Sequence, residues 1–464
     1  MLNYIMSLPK ELNFASNKPM ATSARPQILR YRSDNSTYGP GDVINIEIPT
    51  GRQGQMLFPN DSFLEFKLKV NATGGAAAGT TSWFLDQSIY SLFSKMTIMH
   101  GSNTQENTLF ANRVWTTLYD IQVNESERRQ DSITKGVLDT SDFASSSIYN
   151  NGLFGQLVAT RATGTAASDS LLYEYSFVLP SALVGCLAQK ALPLSLLGAS
   201  SIYIQLELAP LNVAFVQQLS AATSNGTLNS YTISDIYYNS KVSLLPLEVE
   251  RALIQSTGGI INLPAVAYKC ELKTLNANSV AFNDKFAFQF SSVKIFMFWV
   301  KNSTSANGDI SKRSISSRPK ANISDWYLMI NGEMFPSASM TGYCRHYQEL
   351  MRSFDMLTDT NAGGILTFSN YAYDTATSAS DVITTIGDTT WMQSTDQKRY
   401  VAGIDLDRFN RSSDVLMSGQ STIGQSLSLV VNLSAGTNEL LNLYGAVQYD
   451  VLFHIENGLL TSKF

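Results

Sequence analysis

The stretch "SIYIQLELAP" (residues 201–210) sets Ile202, Ile204, Leu206 and Leu208 against Tyr203, Gln205 and Glu207. Apolar side chains at every second position describe a strand with one buried face and one wet face. Directly before it, "LPLSLLGAS" (residues 192–200) is almost wholly apolar, which predicts a buried connection leading into that strand. The same alternation recurs upstream. "VINIEIPT" (43–50) places Ile44, Ile46 and Ile48 on one face, and "FLEFKLKV" (63–70) places Leu64, Phe66, Leu68 and Val70 opposite Glu65, Lys67 and Lys69. "KMTIMHG" (95–101) is a strand ending at a glycine turn, and "YEYSFVLP" (173–180) is a further strand.

Between them "LFANRVWTTLYDIQ" (109–122) changes period. Val114, Leu118 and Ile121 lie three to four apart, so a short helix containing Trp115 is expected. The second half repeats this order. "FQFSSVKIFMFWV" (288–300) reads as strand, and "DWYLMINGEMFP" (325–336) as strand ending at the turn dipeptide Asn331-Gly332. "RHYQELMRSFDML" (345–357) reads as helix, with Tyr347, Leu350, Met351 and Phe354 on one side. "LSLVVNL" (427–433) and "GAVQYDVLFHIENG" (445–458) return to strand.

The landmarks are evenly spaced. Val70 to Gly101 is 31 residues and Val300 to Gly332 is 32; Gly101 to Trp115 and Gly332 to His346 are both 14. The halves are offset by about 231 of 464 residues. This shared order predicts tandem copies of one all-β unit, side by side, because two copies are too few for a solenoid or propeller. The seam is expected within "LLPLEVERALIQSTGG" (244–259), after the strand "DIYYNSKVSL" (235–244). Residues 1–25, prolines without periodicity, read as an irregular arm that orders on assembly; the units then span 26–245 and 246–464.

Composition narrows the function. Apolar residues make up 44% of the chain, enough for sizeable cores, while charged residues are only 15%, against roughly 25% in typical domains. Interface cores are depleted in Lys and Glu, so low charge suits an assembling protein; neutral Ser, Thr and Asn on wet strand faces would give the same number. Net charge is −5, without long charged runs. The densest basic stretch, "SKRSISSRPK" (311–320) with Lys312, Arg313, Arg318 and Lys320, reads as a solvated loop and not as a nucleic-acid surface. Cys186, Cys270 and Cys344 are odd in number and far apart, so buried reduced thiols are expected. No secretory signal or membrane span is legible, which predicts a soluble protein made in a reducing compartment. "NATGGAAAGTTS" (71–82), "TRATGTAASDS" (160–170), "QQLSAATSNGTLNS" (217–230) and "YDTATSASDVITTIGD" (373–388) read as long decorating loops.

The motifs of catalysis are incomplete. "GGAAAGTT" (74–81) has phosphate-loop glycines, but Thr80 stands where the lysine belongs. "SGQSTIG" (418–424) is a turn before a strand, not a nucleophile elbow. The histidines are His100, His346 and His454; Cys344 and His346 make half a metal site with no second pair at ligand spacing. Asp405 and Asp407 in "GIDLDRF" are geometrically allowed as a carboxylate pair on one strand face. A polar strand face beside Ile404, Leu406 and Phe409 is the favoured reading of them. The pattern implies no catalytic residue, cofactor or metal.

The tandem β-units, with "LPLSLLGASSIYIQLELAP" (192–210) closing the first and "YVAGIDLDRFNRSSDVLMSG" (400–419) and "LYGAVQYDVLFHIENGLL" (443–460) in the second, resemble a double jelly-roll major capsid protein. The resemblance is to those of polinton-like viruses, adintoviruses and virophages, and more distantly to adenovirus hexon and tailless-phage coat proteins. It spans essentially the whole chain but its motifs are diffuse. It implies two eight-stranded jelly-roll sandwiches with short helices in loops. It further implies a homotrimer of pseudo-hexagonal outline that tiles an icosahedral shell around double-stranded DNA. The implied location is the virion, after synthesis in the host cytoplasm or nucleus. The implied partners are neighbouring capsomers and penton or minor capsid proteins, with no sequence-specific nucleic-acid contact. On this reading the stretch "DVLMSGQS…LSLVVNL" (414–433) is the counterpart of "SIYIQLELAP". Two other readings compete: a minor capsid, penton or spike protein, and a carbohydrate-active sandwich enzyme or lectin. The last needs convergent carboxylates and exposed tryptophans, whereas Trp299 and Trp326 fall within strand patterns.

Overall fold

Sixteen strands build two sandwiches of the same topology. They were traced in a computed structural model, which describes residues 24–464 apart from 76–79, 138–155, 199, 220–225, 304–309, 311–313, 358–365, 367–370, 373–397, 409–416 and 437–439. In the first sandwich the strands are β1 (Arg25–Arg32), β2 (Val43–Ile48), β3 (Gln55–Thr73), β4 (Phe93–His100), β5 (Asn103–Leu109), β6 (Tyr173–Phe177), β7 (Ile202–Leu208) and β8 (Thr227–Leu244). In the second they are β9 (Ile260–Leu275), β10 (Ala281–Phe286), β11 (Val293–Asn302), β12 (Ile323–Ile330), β13 (Glu333–Thr341), β14 (Ala402–Asp405), β15 (Leu427–Leu433) and β16 (Leu441–Glu456).

The sheets of the first sandwich run β1-β8-β3-β6 and β2-β7-β4-β5; those of the second run β9-β16-β11-β14 and β10-β15-β12-β13. Each strand of the second is therefore the strand eight places earlier in the first. β7, the opening stretch, lies between β2 and β4, with Ile204 opposite both Ile46 and Ile98. Its four apolar residues are at most 1% exposed while Tyr203 and Gln205 are half-buried. β15 takes the corresponding place between β10 and β12. "LPLSLLGAS" is buried through Leu192, Leu194 and Leu197 and pairs with β3 at Leu57.

Hairpins join β4 to β5 and β12 to β13 through two residues each. Asn331 and Gly332 adopt φ of 52° and 85°, the doubly left-handed turn that suits the strand twist and that Asn-Gly accommodates. A helix follows each hairpin: α1 (Ala111–Gln122) after β5, with α2 (Glu125–Lys135) beyond it. A third helix, α3 (Leu247–Thr257), fills the expected seam, and α4 (Tyr343–Ser353) follows β13. α1 and α4 thus occupy equivalent places, as the spacing predicts.

Several expectations need correction. The helix read at 345–357 begins two residues earlier and ends at Ser353, because Phe354 and Asp355 leave helical geometry. The strand read from Phe288 starts only at Val293. Two of the decorating loops and the edge of a third carry sheet: Phe215–Leu219, Thr80–Leu85 and Leu157–Ala162 pair as a small additional sheet beside the first sandwich. The stretch from Ser314 to Arg318 is buried, not solvated, because the first sandwich covers it. Of the three thiols only Cys270 is buried; Cys186 and Cys344 are exposed. Residues 1–23 of the expected arm, Lys312, Arg313, Trp391 and the loop 373–388 lie outside the described residues. Arg25 already belongs to β1. Among the described residues no helix is long and apolar enough to cross a membrane.

Candidate functional site

The edge where the two sandwiches meet is the most elaborate polar region of the chain. β5, the outer strand of one sheet, lies against β9, the outer strand of the next sandwich. Thr108 Oγ1 donates to the Tyr268 carbonyl at 3.3 Å. Gln105 Nε2 donates to the carbonyl of Leu460, on the strand Leu459–Lys463 that follows β16, at 3.0 Å. Backbone bonds extend the seam: Gly198 N to Gly458 O at 2.7 Å and Gln217 N to Ile310 O at 2.7 Å. The Phe110 ring meets Tyr444 edge-on at 5.4 Å, and the Arg113 guanidinium lies 4.6 Å above the same ring.

α1 drives this seam. Every residue from Ala111 to Ile121 is buried, including Asn112, Arg113, Thr116, Thr117 and Asp120. A helix with that many buried polar groups must bond them across an interface. Arg113 Nη1 donates to the Ser314 carbonyl at 2.7 Å. Asp86 Oδ2 accepts from Ile315 N at 2.6 Å. Asp120 stands at the centre: Arg128 of α2 donates to its Oδ1 at 2.9 Å, and Arg399 and Arg318, both from the second sandwich, donate to its Oδ2, Arg399 at 2.5 Å. Gln87 donates to Oδ1 as well. All four charged side chains are at most 2% exposed. Burial pushes the Asp120 carboxyl up, but the guanidiniums, Arg399 foremost, outweigh it and hold the group well below the usual carboxylate range. Arg318 and Arg399 are brought together by a backbone bridge, with Arg318 N bonded to Lys398 O and Tyr400 N to Arg318 O.

Among the described residues nothing covers the same edges elsewhere. β13, counterpart of β5, exposes Met334 and Phe335 and is largely open along its length. β1, counterpart of the covered β9, exposes Ile28 at 76%. Beside β1 an open groove of about 550 Å³ is lined by Arg30, Glu65, Lys67, Ile133, Glu174 and Asp235. Lys67 pairs there with Asp235 at 3.1 Å and Glu174 at 3.4 Å, and Ile133 is 81% exposed.

The residues weighed for chemistry are used structurally. Asp405 ends β14 and its Oδ1 accepts from Asp407 N at 2.9 Å, so the two are not on one strand face. His346 is buried between Met340 O at 3.0 Å and the Tyr400 hydroxyl at 2.9 Å, while Cys344 is exposed, so they do not converge. His454 contacts Asn262 and Glu456; His100 is buried at the β4 hairpin. Among the described residues no three His, Cys, Asp or Glu side chains gather as a metal site. Thr80 opens a strand and not the helix that a phosphate loop needs. Trp299 and Trp326 are core, as expected, and so are Trp83 and Trp115.

Reading the sequence missed Asp120, Arg128 and Arg399. The available signal was Asp120 on the same turn as the apolar Leu118 and Ile121 of α1, followed eight residues later by Arg128.

No protein-family model and no curated protein sequence matches the chain. Solved structures do. The capsid of the virus PBCV-1 aligns over 96% of this chain and 98% of its own at 10% identity, with a TM-score of 0.57. The Sputnik virophage structure aligns over 100% and 93% at 13% identity and 0.56, and the mavirus major capsid protein over 100% and 96% at 11% and 0.55. Together with two eight-stranded sandwiches of one repeated topology, these matches show that the chain has the double jelly-roll fold of those capsid proteins.

Proposed function

We propose that this chain is a major capsid protein: a structural, non-enzymatic subunit of a virion, acting as a homotrimer. In this reading residues 26–245 and 246–464 are the two jelly rolls and residues 1–25 the arm. One observation carries the proposal. Within a chain, β5 of the first sandwich is closed by β9 of the second, whereas the equivalent edges β13 and β1 are bare. Repeating the internal contact between copies would set β13 of one chain against β1 of the next. A right-sized rotation closes such a head-to-tail contact into a ring, and three chains would bring six sandwiches into a pseudo-hexagonal capsomer. The groove beside β1, with Ile133 and its paired charges, would then be covered, which suits a chain this poor in charge. Capsomers of that outline tile a shell with neighbouring capsomers and minor capsid proteins, around double-stranded DNA.

Light scattering on the purified protein, followed by negative-stain imaging of the same peak, tests this reading. A mass of three chains with a hexagonal outline supports it. A stable monomer at high concentration overturns it.

A further inference from the structure

The cluster on Asp120 carries more positive charge than its described partners neutralise. Three buried guanidiniums share one carboxylate, a surplus of two; counting Asp86, which spends its Oδ2 on the backbone amides of Ile315 and Ser316, still leaves one. Five guanidinium nitrogens, Nη1 of Arg128, Nε and Nη1 of Arg318, and Nε and Nη2 of Arg399, are buried without a hydrogen-bond partner. The hydroxyls of Thr116 and Thr117, one turn before Asp120 on its own helix, and of Ser316, two residues before Arg318, are unpartnered as well. An unpaired buried donor costs about 1–3 kcal/mol, more when charged. Arginine does not escape by deprotonating. Water would satisfy the N–H groups but would leave the surplus charge uncompensated in a low dielectric.

We propose that this cluster binds one small oxyanion of the phosphate or sulfate type in each chain, locked between the two sandwiches. Guanidinium forks match tetrahedral oxyanions bidentately, which favours them over chloride. Arg318 and Arg399 reach the ion from the second sandwich and Arg128 from the first, so the ion ties α1 and α2 to the segments around residues 318 and 399. The Thr116, Thr117 and Ser316 hydroxyls add neutral donors.

The test uses the full chain, purified and dialysed in chloride buffer. Acid denaturation followed by ion chromatography should release about one equivalent of phosphate or sulfate per chain. If the site has emptied, inorganic phosphate or sulfate added at constant ionic strength should raise the melting temperature saturably, and chloride should not. Arg399→Gln should weaken that response at least tenfold. No released oxyanion together with no stabilisation beyond that of chloride overturns the proposal, as does an unchanged response in Arg399→Gln. If that variant does not fold, the release and salt comparisons on the unaltered protein decide alone.

Discussion

Edge strand β5 of the first sandwich and β13 of the second occupy the same place in the same topology, yet β5 is covered by β9 and β13 is bare. The residues along the two edges show the consequence. Thr108 on β5 is buried and bonded to Tyr268, while Met334, Phe335 and Ala338 along β13 are exposed. Ahead of the following helix, Phe110 holds a left-handed backbone (φ 54°) with its ring against Tyr444; the matching position is Gly342 (φ 77°), with open space around it. A bulky residue in that conformation costs about 1–2 kcal/mol, and persists where packing over-determines it. The covered edge has the packing to hold such a residue and the bare edge has glycine. An unpaired sheet edge is a liability unless something covers it, so the comparison points to a second copy as the missing cover.

The largest effect is expected at the seam. Asp120→Asn removes the one carboxylate facing Arg128, Arg318 and Arg399, and leaving buried charge uncompensated costs about 3–5 kcal/mol. Urea denaturation should show that loss. A change below about 1 kcal/mol would mean that the cluster is not a lock between the sandwiches, since so small an effect matches an ordinary surface substitution.

The two sandwiches should also answer pH in opposite directions. Burial pushes the Glu106 carboxyl on β5 up to about 7 from 4.5, against the bonds from Ser181 and Ala182. Its folded form keeps the proton, so stability is fullest below 4.5 and declines as pH rises to 7, by about 3 kcal/mol in all. Burial pulls the His346 imidazole of α4 down to about 4 from 6.5. Its contribution is full above 6.5 and is lost as pH falls toward 4, by about 3 kcal/mol as well. The two windows overlap, so in the parent the contributions largely offset each other, and Glu106→Gln should uncover a net loss as pH falls from 6.5 toward 4. Thermal unfolding of both proteins between pH 4 and 8.5 checks this, and a pH profile that the substitution leaves unchanged refutes the assignment to Glu106.

On the bare edge, Met334→Asp with Ala338→Asp should weaken the proposed trimer on the order of 100-fold, about 2.7 kcal/mol, with monomer melting nearly unchanged. Sedimentation of a dilution series reads this directly. Thr108→Asp on the covered strand β5 should lower folding stability instead. If both variants merely assemble like the parent, β13 is not an interface. A further effect is expected at Gly342→Ala, where nothing crowds a new Cβ, so only the backbone conformation (φ 77°, ψ 144°) is penalised, by about 1–3 kcal/mol. A larger loss in chemical denaturation would show that this turn is packed after all.

What the sequence determined by itself was the repeated architecture. Alternation in β2, β3 and β7, the Asn331-Gly332 hairpin and the change of period at Trp115 and His346 are local signals, and local signals survive in a one-dimensional string. They placed both helices after equivalent hairpins; the resemblance set the counterpart of β7 within 414–433, a stretch that contains β15. Asp405 and Asp407, allowed as a carboxylate pair but read as a polar strand face, do not share a face because β14 stops at Asp405, a boundary that propensity does not mark. α2 was missed because "ESERRQDSITK" is polar and lacks an apolar stripe. Which edges are covered, and that Arg318 lies buried instead of in a solvated loop, only the tertiary structure decided. Asp120 meets Arg318 and Arg399 across 198 and 279 residues of chain. A basic residue in a Ser- and Pro-rich segment reads the same whether water or another sandwich lies over it. Its burial is set by what packs above it, and that information is not local.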